Sequence, residues 1–144
     1  MTCFPDINVW IALTVAGHEH HEAATEWYAG AEWDTLVVSR ITQMGFLRLL
    51  TNKHVMKKQV ANSEGAWAIV DELRRNPAIR FALEPPGIET VWRKLTAGTD
   101  HGPNAWTDAW LAAFAIRTGY TLVTFDQGLQ RFAPAPLQIL DVAG

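Results

Sequence analysis

Short apolar segments of strand character alternate along this chain with longer segments of helical character. The predicted strands cover residues 2–4, 36–38, 79–83, 121–124 and 137–140. The predicted helices cover residues 8–14, 20–31, 41–51, 63–76, 88–95 and about 104–118. A parallel sheet requires such intervening helices, because its strands can be joined only by long crossovers. The alternation therefore predicts an α/β fold, a three-layer α/β/α sandwich with a mostly parallel central sheet.

Several residues mark the ends of these elements. Ser63 is predicted to be the N-cap of the helix that stops before Pro77. Gly119 is predicted to end the helix that precedes strand 121–124, as a left-handed C-terminal cap. Residues 52–60 are rich in lysine and are predicted to be an irregular connection.

Length and composition limit the class of protein. With 144 residues, 49% hydrophobic and 19% charged, residues 1–144 are predicted to form a single globular domain. The net charge of −3 argues against nucleic-acid binding through overall charge, but it leaves a local basic patch or a metal-centred nuclease site possible. The chain has one cysteine, shows no signal-peptide pattern and has no apolar run near the roughly 18 residues of a membrane span. These features predict a bacterial or archaeal cytoplasmic protein.

Three aspartates lie where apolar segments begin or end. Asp6 follows the first strand, Asp126 follows strand 121–124, and Asp108 lies in the first turn of a helix that is apolar on nearly every side. In parallel sheets, ligands bind outside the carboxyl ends of the strands, so the three carboxylates can meet at one edge. Because burying a carboxylate is costly, they are expected to share a neutralising ion. A hard divalent cation such as Mg²⁺ suits oxygen ligands best. The simpler alternatives are a helix cap for Asp6 and turn or first-turn positions for the other two.

The chain resembles a PIN domain, the fold of the toxin ribonucleases in VapBC toxin–antitoxin pairs. The resemblance rests on three segments that occur in the family's order and spacing: Asp6-Ile7-Asn8, Thr107-Asp108-Ala109 and Thr124-Phe125-Asp126. Residues 128–132 and the last strand are also similar, whereas residues 52–100 match only in their pattern of helices and strands.

This resemblance implies a metal-dependent endoribonuclease that cleaves RNA phosphodiester bonds with Mg²⁺ or Mn²⁺. Asp6, Asp108 and Asp126 would be both its catalytic residues and its metal ligands, with Asn8 and Thr124 orienting the carboxylates. The implied partners are an RNA substrate, a VapB-type antitoxin and a second copy of the chain, with no membrane contact.

One position departs from the family's pattern. PIN domains usually carry a glutamate early in the helix after strand two, but the matching position is Gly45, and residues 41–50 contain no acidic residue. Gln43 could add a neutral oxygen as a supporting residue, although a helix turns about 200° over two residues. The departure predicts weak binding of the first metal or loss of a second, and Gly45→Glu is expected to tighten metal binding.

Two other functions remain open from the sequence. A phosphatase of the haloacid-dehalogenase type also uses an aspartate after strand one, but it needs a second aspartate where this chain has Asn8. The other is a catalytically impaired PIN-fold interaction module, which keeps the fold but has lost activity with the missing glutamate.

The other polar and aromatic residues have plainer explanations. The histidines His18, His20 and His21 lack zinc-site spacing and are predicted to lie at a solvated helix start. Four tryptophans fall at core spacing and are predicted to be buried: Trp27, Trp67, Trp92 and Trp110. Only Trp10 and Trp106 adjoin the aspartates closely enough to contact a ligand. Asn104 could reach the site or cap its helix.

Overall fold

The computed structural model describes residues 1–30, 32–98, 102–132 and 134–141. Five parallel strands form one sheet in these residues, in the order β3-β2-β1-β4-β5. Their bounds are β1 Thr2–Pro5, β2 Thr35–Val38, β3 Ile79–Phe81, β4 Thr121–Thr124 and β5 Leu137–Ile139. The predicted α/β/α class is confirmed, and the sheet is parallel throughout rather than mostly parallel.

The strand order reverses direction at β1. From β1 the chain adds β2 and β3 on one side and then β4 and β5 on the other. Residue Cys3 of β1 pairs with Leu36 of β2 and with Thr121 of β4. The carboxyl ends of β1 and β4 therefore flank the topological switch point, where α/β sheets bind ligands.

Seven α-helices and two 3₁₀ helices are found among the described residues. Their bounds are α1 Ile7–Thr14, α2 His21–Ala29, α3 Arg40–Leu50, α4 Lys53–Met56, α5 Ser63–Arg74, α6 Ile88–Thr96 and α7 Ala105–Thr118, with 3₁₀ helices Lys57–Gln59 and Gln127–Phe132. Residues 52–60 are therefore not irregular as predicted. The side chain of Asn52 accepts hydrogen bonds from the backbone N–H groups of His54 and Val55, which starts the short helix α4.

Of the two predicted helix caps, one is wrong and one is confirmed. Asn62, rather than Ser63, is the N-cap of α5, because its side-chain oxygen accepts a 2.8 Å hydrogen bond from the N–H of Gly65. The predicted cap of α7 is confirmed: Gly119 has φ of +76° and donates a 2.8 Å hydrogen bond to the carbonyl of Ala115. A left-handed backbone of this kind favours glycine.

The core lies on both faces of the sheet. On one side α1, α3 and α5 pack against the strands, and on the other side α7 packs with an almost continuously buried run of residues from Ala109 to Ala115. The rings of Phe4 in β1 and Phe114 in α7 stack with their centroids 4.4 Å apart. This packing fixes the first turn of α7, which carries Asp108, relative to the end of β1.

The tryptophans divide between core and surface. Trp110 is buried and Trp27 and Trp92 are half-buried, as their spacing predicts, but Trp67 is 49% exposed and that prediction is wrong. Trp67 follows Ala66 on α5, whose buried face consists of Ala66 and Val70, so its side chain points away from the core. In the described part of the chain, no helix has the length and apolar character needed to cross a membrane.

Candidate active site

Asp6 is buried at the junction between β1 and α1. Its Oδ1 accepts a 2.7 Å hydrogen bond from the N–H of Ile7, and its Oδ2 accepts one of 2.9 Å from the hydroxyl of Thr124. Its own N–H donates to the carbonyl of Val123 in β4 at 2.8 Å. Asp6 therefore caps α1 and also reaches across to the next strand, so its role as a cap does not compete with a role in the site.

Thr124 joins the ends of β1 and β4. Its fully buried hydroxyl donates to Asp6 and accepts a 3.0 Å hydrogen bond from the backbone N–H of Asp126. The Nδ2 of Asn8 lies 3.5 Å from the same hydroxyl, and the Oδ1 of Asn8 is buried without a partner among the described residues. The structure thus brings Asn8 and Thr124 together with Asp6, where the resemblance predicts them.

Asp108 and Asp126 are each held by a neighbour outside the sheet. The Oδ2 of Asp108, whose side chain is 22% exposed, lies 3.3 Å from Nη2 of Arg131. Asp126 is exposed, and its Oδ1 accepts a 2.8 Å hydrogen bond from the N–H of Gly128. These contacts hold both side chains at the rim of the site, beside the buried carboxylate of Asp6.

The three carboxylates interact electrostatically. Burial raises the pKa of Asp6 above its ordinary value, against the lowering effect of its hydrogen bonds from Thr124 and Ile7, and the charges of Asp108 and Asp126 raise it further. Burial also raises the pKa of Asp108, as does the charge of Asp126, whereas Arg131 opposes the rise. Mutual repulsion of this kind shows that the three aspartates share one region of the molecule.

The residues present suit a hard cation chemically. They offer three carboxylates and the unpartnered buried oxygen of Asn8, which are the oxygen ligands that Mg²⁺ and Mn²⁺ take. Among the described residues, however, no three acidic, histidine or cysteine side chains converge on one point that could hold an ion. Asp108 and Asp126 instead face Arg131 and Gly128, so they would have to leave these contacts to converge.

Gln43 does not join the aspartates in the structure. Its side chain is buried, its Oε1 accepts a 2.6 Å hydrogen bond from Nη1 of Arg40, and its Nε2 has no partner among the described residues. Together with Trp10 and Phe46 it lines a small internal cavity. The prediction that Gln43 supplies an oxygen to the site therefore lacks structural support, since the side chain projects into the core.

Gly45 faces the start of α1. A Cβ atom on Gly45 would lie 2.2 Å from Cδ1 and 2.9 Å from Cγ1 of Ile7, the residue after Asp6. Position 45 thus faces the side chain of Ile7. The outer atoms of the Ile7 side chain occupy this space, so any side chain at position 45 requires Ile7 to shift, and the predicted effect of Gly45→Glu on metal binding depends on that shift.

Several other residues lie differently from prediction. The ring of His20 packs 4.8 Å from that of Phe125, and Nδ1 of His21 lies 2.7 Å from the carbonyl of Ala12, so both are partly buried rather than solvated. Trp10 is buried and cannot stack on a base, whereas Trp106 is 53% exposed. Asn104 occupies the N-cap position of α7 without a side-chain capping hydrogen bond.

Arg131 is the site residue that sequence reasoning missed. It lies five residues after Asp126, within the tail segment that carries part of the resemblance, and a basic residue so close to an acidic site was the available signal. Its contact with Asp108 spans 23 residues and depends on how the 3₁₀ helix Gln127–Phe132 packs against α7.

Comparison with known proteins agrees with this geometry. The PIN domain family model matches residues 3–134. Ribonuclease VapC41 of Mycobacterium tuberculosis is 36% identical over 141 residues, which cover 94% of this chain and 96% of that protein. The crystal structure of VapC20 of Mycobacterium tuberculosis, described as a sarcin–ricin loop cleaving toxin, superposes with a TM-score of 0.69 at 18% identity, covering 92% and 95% of the two chains. VapBC2 of Rickettsia felis, bound to a DNA fragment from its promoter, gives 0.67 at 16% identity and covers 98% and 100%.

Proposed function

Because this chain belongs to the PIN-domain family, and within it to the VapC ribonucleases, we propose that it is a metal-dependent endoribonuclease acting as the toxin of a toxin–antitoxin pair. The main observation in support of this proposal is the hydrogen bond from Thr124 to Asp6, which joins the ends of β1 and β4 at the topological switch point. Two further carboxylates, those of Asp108 and Asp126, lie close enough to raise the pKa of Asp6. A bound cation would offset the repulsion among the three carboxylates.

The residues that would hold Mg²⁺ or Mn²⁺ are Asp6, Asp108 and Asp126, with the free oxygen of Asn8 beside them. Such a cation, when bound, polarises a phosphate oxygen and lowers the pKa of a bound water. Thr124 keeps the carboxylate of Asp6 in one orientation through its hydroxyl. Asp126 is the most exposed of the three, and we assign to it the acceptance of a proton from the attacking water.

The test is cleavage of RNA by the purified protein with Mg²⁺ or Mn²⁺ and with chelator. Asp6→Asn and Asp108→Asn are each expected to lower the cleavage rate by on the order of 10² or more, since each removes charge from the site. Asp34→Asn is the matched control, because Asp34 is an exposed aspartate that pairs with the N-terminus. Full activity in excess chelator would contradict the mechanism.

The absence of a fourth carboxylate leads to a prediction about the Mg²⁺ affinity of the free protein. With three acids rather than four, the free protein should bind Mg²⁺ weakly, and RNA phosphate should complete the coordination, so that metal and RNA bind with positive coupling. Calorimetric titration of Mg²⁺ with and without a non-cleavable RNA measures this coupling. Equal and tight affinity in both titrations would show that the site is complete without RNA. Absence of Mg²⁺ binding in either would favour the impaired PIN-fold module.

We further propose a VapB-type antitoxin as the partner. The support comes from the fold shared with VapBC2 and from an apolar groove of about 750 Å³, lined by α1, α2 and α5 residues that include Leu13, Tyr28 and Ile69. Such a groove suits an inserted helix. Expression of the chain alone should arrest growth, and co-expression of the antitoxin should restore it. Harmless high-level expression of the intact protein would count against the toxin role.

The remaining proposals concern assembly and location. We propose that residues 1–144 act as one nuclease domain, that two copies form a homodimer, and that the protein works in the cytoplasm. The single five-stranded sheet of the described residues supports the first proposal. Light scattering on the purified chain measures the second, and fractionation of the host cell tests the third. The phosphatase alternative is not supported, because the family shown is the PIN family.

A further inference from the structure

Arg131 lies against the acidic site, and none of the roles proposed so far uses it. Its Nη2 lies 3.3 Å from Oδ2 of Asp108. Among the ion pairs of the described residues, this is the only one that involves Asp6, Asp108 or Asp126. The guanidinium therefore supplies the one direct counter-charge that the described chain gives to its three carboxylates.

Arg131 also faces the second rim carboxylate. A Cβ atom on Gly128 would lie 3.0 Å from Oδ1 of Asp126 and 3.4 Å from Nη1 of Arg131. Both groups thus border the same small space above Gly128, and the absence of a side chain there lets them approach. The guanidinium thus contacts Asp108 through Nη2, while its Nη1 borders a space that Asp126 also borders.

The backbone of Arg131 is held by buried neighbours, while its side chain is half-exposed. Leu129 and Phe132, on either side of it in the 3₁₀ helix, are buried in the core beneath α7. The side chain of Arg131 is 47% exposed, and its guanidinium lies 4.7 Å from the centre of the Phe132 ring. Arg131 therefore has an anchored backbone and a half-exposed guanidinium. This arrangement allows the guanidinium to exchange one anionic partner for another near its present position.

We propose that Arg131 has two alternating partners, Asp108 in the metal-free protein and a phosphate oxygen of RNA in the substrate complex. This inference rests on the proposed function, since it assumes that RNA is the substrate. A guanidinium binds carboxylate and phosphate oxygens with the same fork of donors, so the exchange needs no new chemistry. When a divalent cation takes Asp108, the guanidinium loses its partner and becomes available at the edge of the acidic site.

The first measurement is the Mg²⁺ affinity of the whole protein without RNA, by calorimetry. Arg131→Gln is expected to tighten Mg²⁺ binding roughly three- to tenfold, because it removes a competing cation whose charge is partly screened by solvent. Arg131→Lys, which keeps the charge, should stay near the unaltered protein. Arg75→Gln is the matched control, since Arg75 is an exposed arginine in an ion pair with Glu72. Unchanged Mg²⁺ affinity in Arg131→Gln would overturn the proposal.

The second measurement is the salt dependence of binding to a single-stranded RNA oligonucleotide, with Ca²⁺ present and then with chelator. A gel shows whether the RNA stays intact. With Ca²⁺, Arg131→Gln should lower the slope of log affinity against log salt by about 0.7, the value of one phosphate contact on a single strand. In chelator the slope should change less, because Arg131 is then engaged with Asp108. An equal slope with Ca²⁺ in Arg131→Gln and the unaltered protein would refute the phosphate contact.

The two measurements separate this inference from the proposed function. If the protein binds Mg²⁺ but does not cleave RNA, the proposed function fails, while the Mg²⁺ affinity of Arg131→Gln still tests the pairing with Asp108. If cleavage depends on Mg²⁺ but Arg131→Gln changes neither the Mg²⁺ affinity nor the salt slope, only the inference about Arg131 fails. Thermal unfolding of each variant in chelator verifies that it is folded.

Discussion

The contact between Gly45 and Ile7 makes a sharp prediction about stability. Gly45→Ala adds a methyl group at a point 2.2 Å from Cδ1 and 2.9 Å from Cγ1 of Ile7. Carbon atoms in contact normally stay about 3.5–4.0 Å apart, so the terminal Cδ1 atom of Ile7 has to move by more than about 1 Å. Ile7 is β-branched and follows the buried cap Asp6, which restricts that movement.

Two opposing effects determine the size of the change. Inserting a methyl group into a packed core typically costs about 1–3 kcal/mol. In a helix interior, alanine is more favourable than glycine by about 0.8–1.0 kcal/mol, and Gly45 lies within α3. We therefore expect Gly45→Ala to destabilise the protein by up to about 2 kcal/mol. In an Ile7→Ala background, where Cδ1 and Cγ1 are gone, the same substitution should stabilise by up to about 1 kcal/mol.

The assay is urea unfolding of four proteins in chelator: the unaltered chain, Gly45→Ala, Ile7→Ala and the double variant. The difference between the two backgrounds is the coupling energy, expected to be about 1–3 kcal/mol. Gly17→Ala is the control, because a Cβ atom at Gly17 meets no atom within 4 Å. If Gly45→Ala changes the free energy of unfolding equally in both backgrounds, Ile7 does not occupy the space beside Gly45.

Three further predictions concern the same site. The double variant Gly45→Glu, Ile7→Ala should bind Mg²⁺ more tightly than Ile7→Ala in calorimetry. Gly45→Glu alone should chiefly destabilise the fold. A double variant that folds without tighter binding would count against placing position 45 beside the acidic site. Thr124→Val should destabilise the protein by about 1–3 kcal/mol in urea unfolding, since it leaves a buried oxygen of Asp6 without its donor. Thr124→Ser keeps the hydroxyl and should change the stability little. Equal losses of stability in both variants would contradict the role of the hydroxyl. Folding raises the pKa of Asp6, so its carboxyl contributes stability that is complete below its unfolded pKa and lost as the pH rises through the raised value. In chelator, the stability of Asp6→Asn relative to the unaltered protein should therefore be greater at pH 7 than at pH 4. The pKa of Asp34 is lowered, so the relative stability of Asp34→Asn should show the opposite trend.

The sequence predicted those elements in which local pattern and tertiary environment agree. The strand 121–124 was located to the residue, because a short apolar run lies between the helix stop at Gly119 and Asp126. Helix α7 was predicted from its almost uninterrupted apolar character, which is found only in a buried helix. The expectation that Asp6, Asp108 and Asp126 meet followed from strand direction for Asp6 and Asp126 and from the apolar helix for Asp108. In the structure the charges of Asp108 and Asp126 act on Asp6, but no three acidic side chains among the described residues converge on one point.

The errors arose where neighbouring residues compete for the same role or where a contact joins distant segments. Asn62 and Ser63 can both cap a helix, and only the geometry of the turn selects Asn62. Helix α4 depends on the side chain of Asn52 and has no apolar period to reveal it. The packing of Ile7 on Gly45 crosses 38 residues of sequence, and a single sequence contains no signal for it.

The number of acidic residues is an incomplete guide to metal affinity at this site. Each aspartate is held in the free chain by a different donor: Asp6 by Thr124, Asp108 by Arg131 and Asp126 by the N–H of Gly128. These bonds offset part of the repulsion among the carboxylates, and a cation that gathers the three must compete with them. Arg131 is the only one of these donors that carries a positive charge, so its removal should strengthen cation binding, as an added carboxylate is expected to do. The effect of the absent glutamate can be judged only beside that of Arg131.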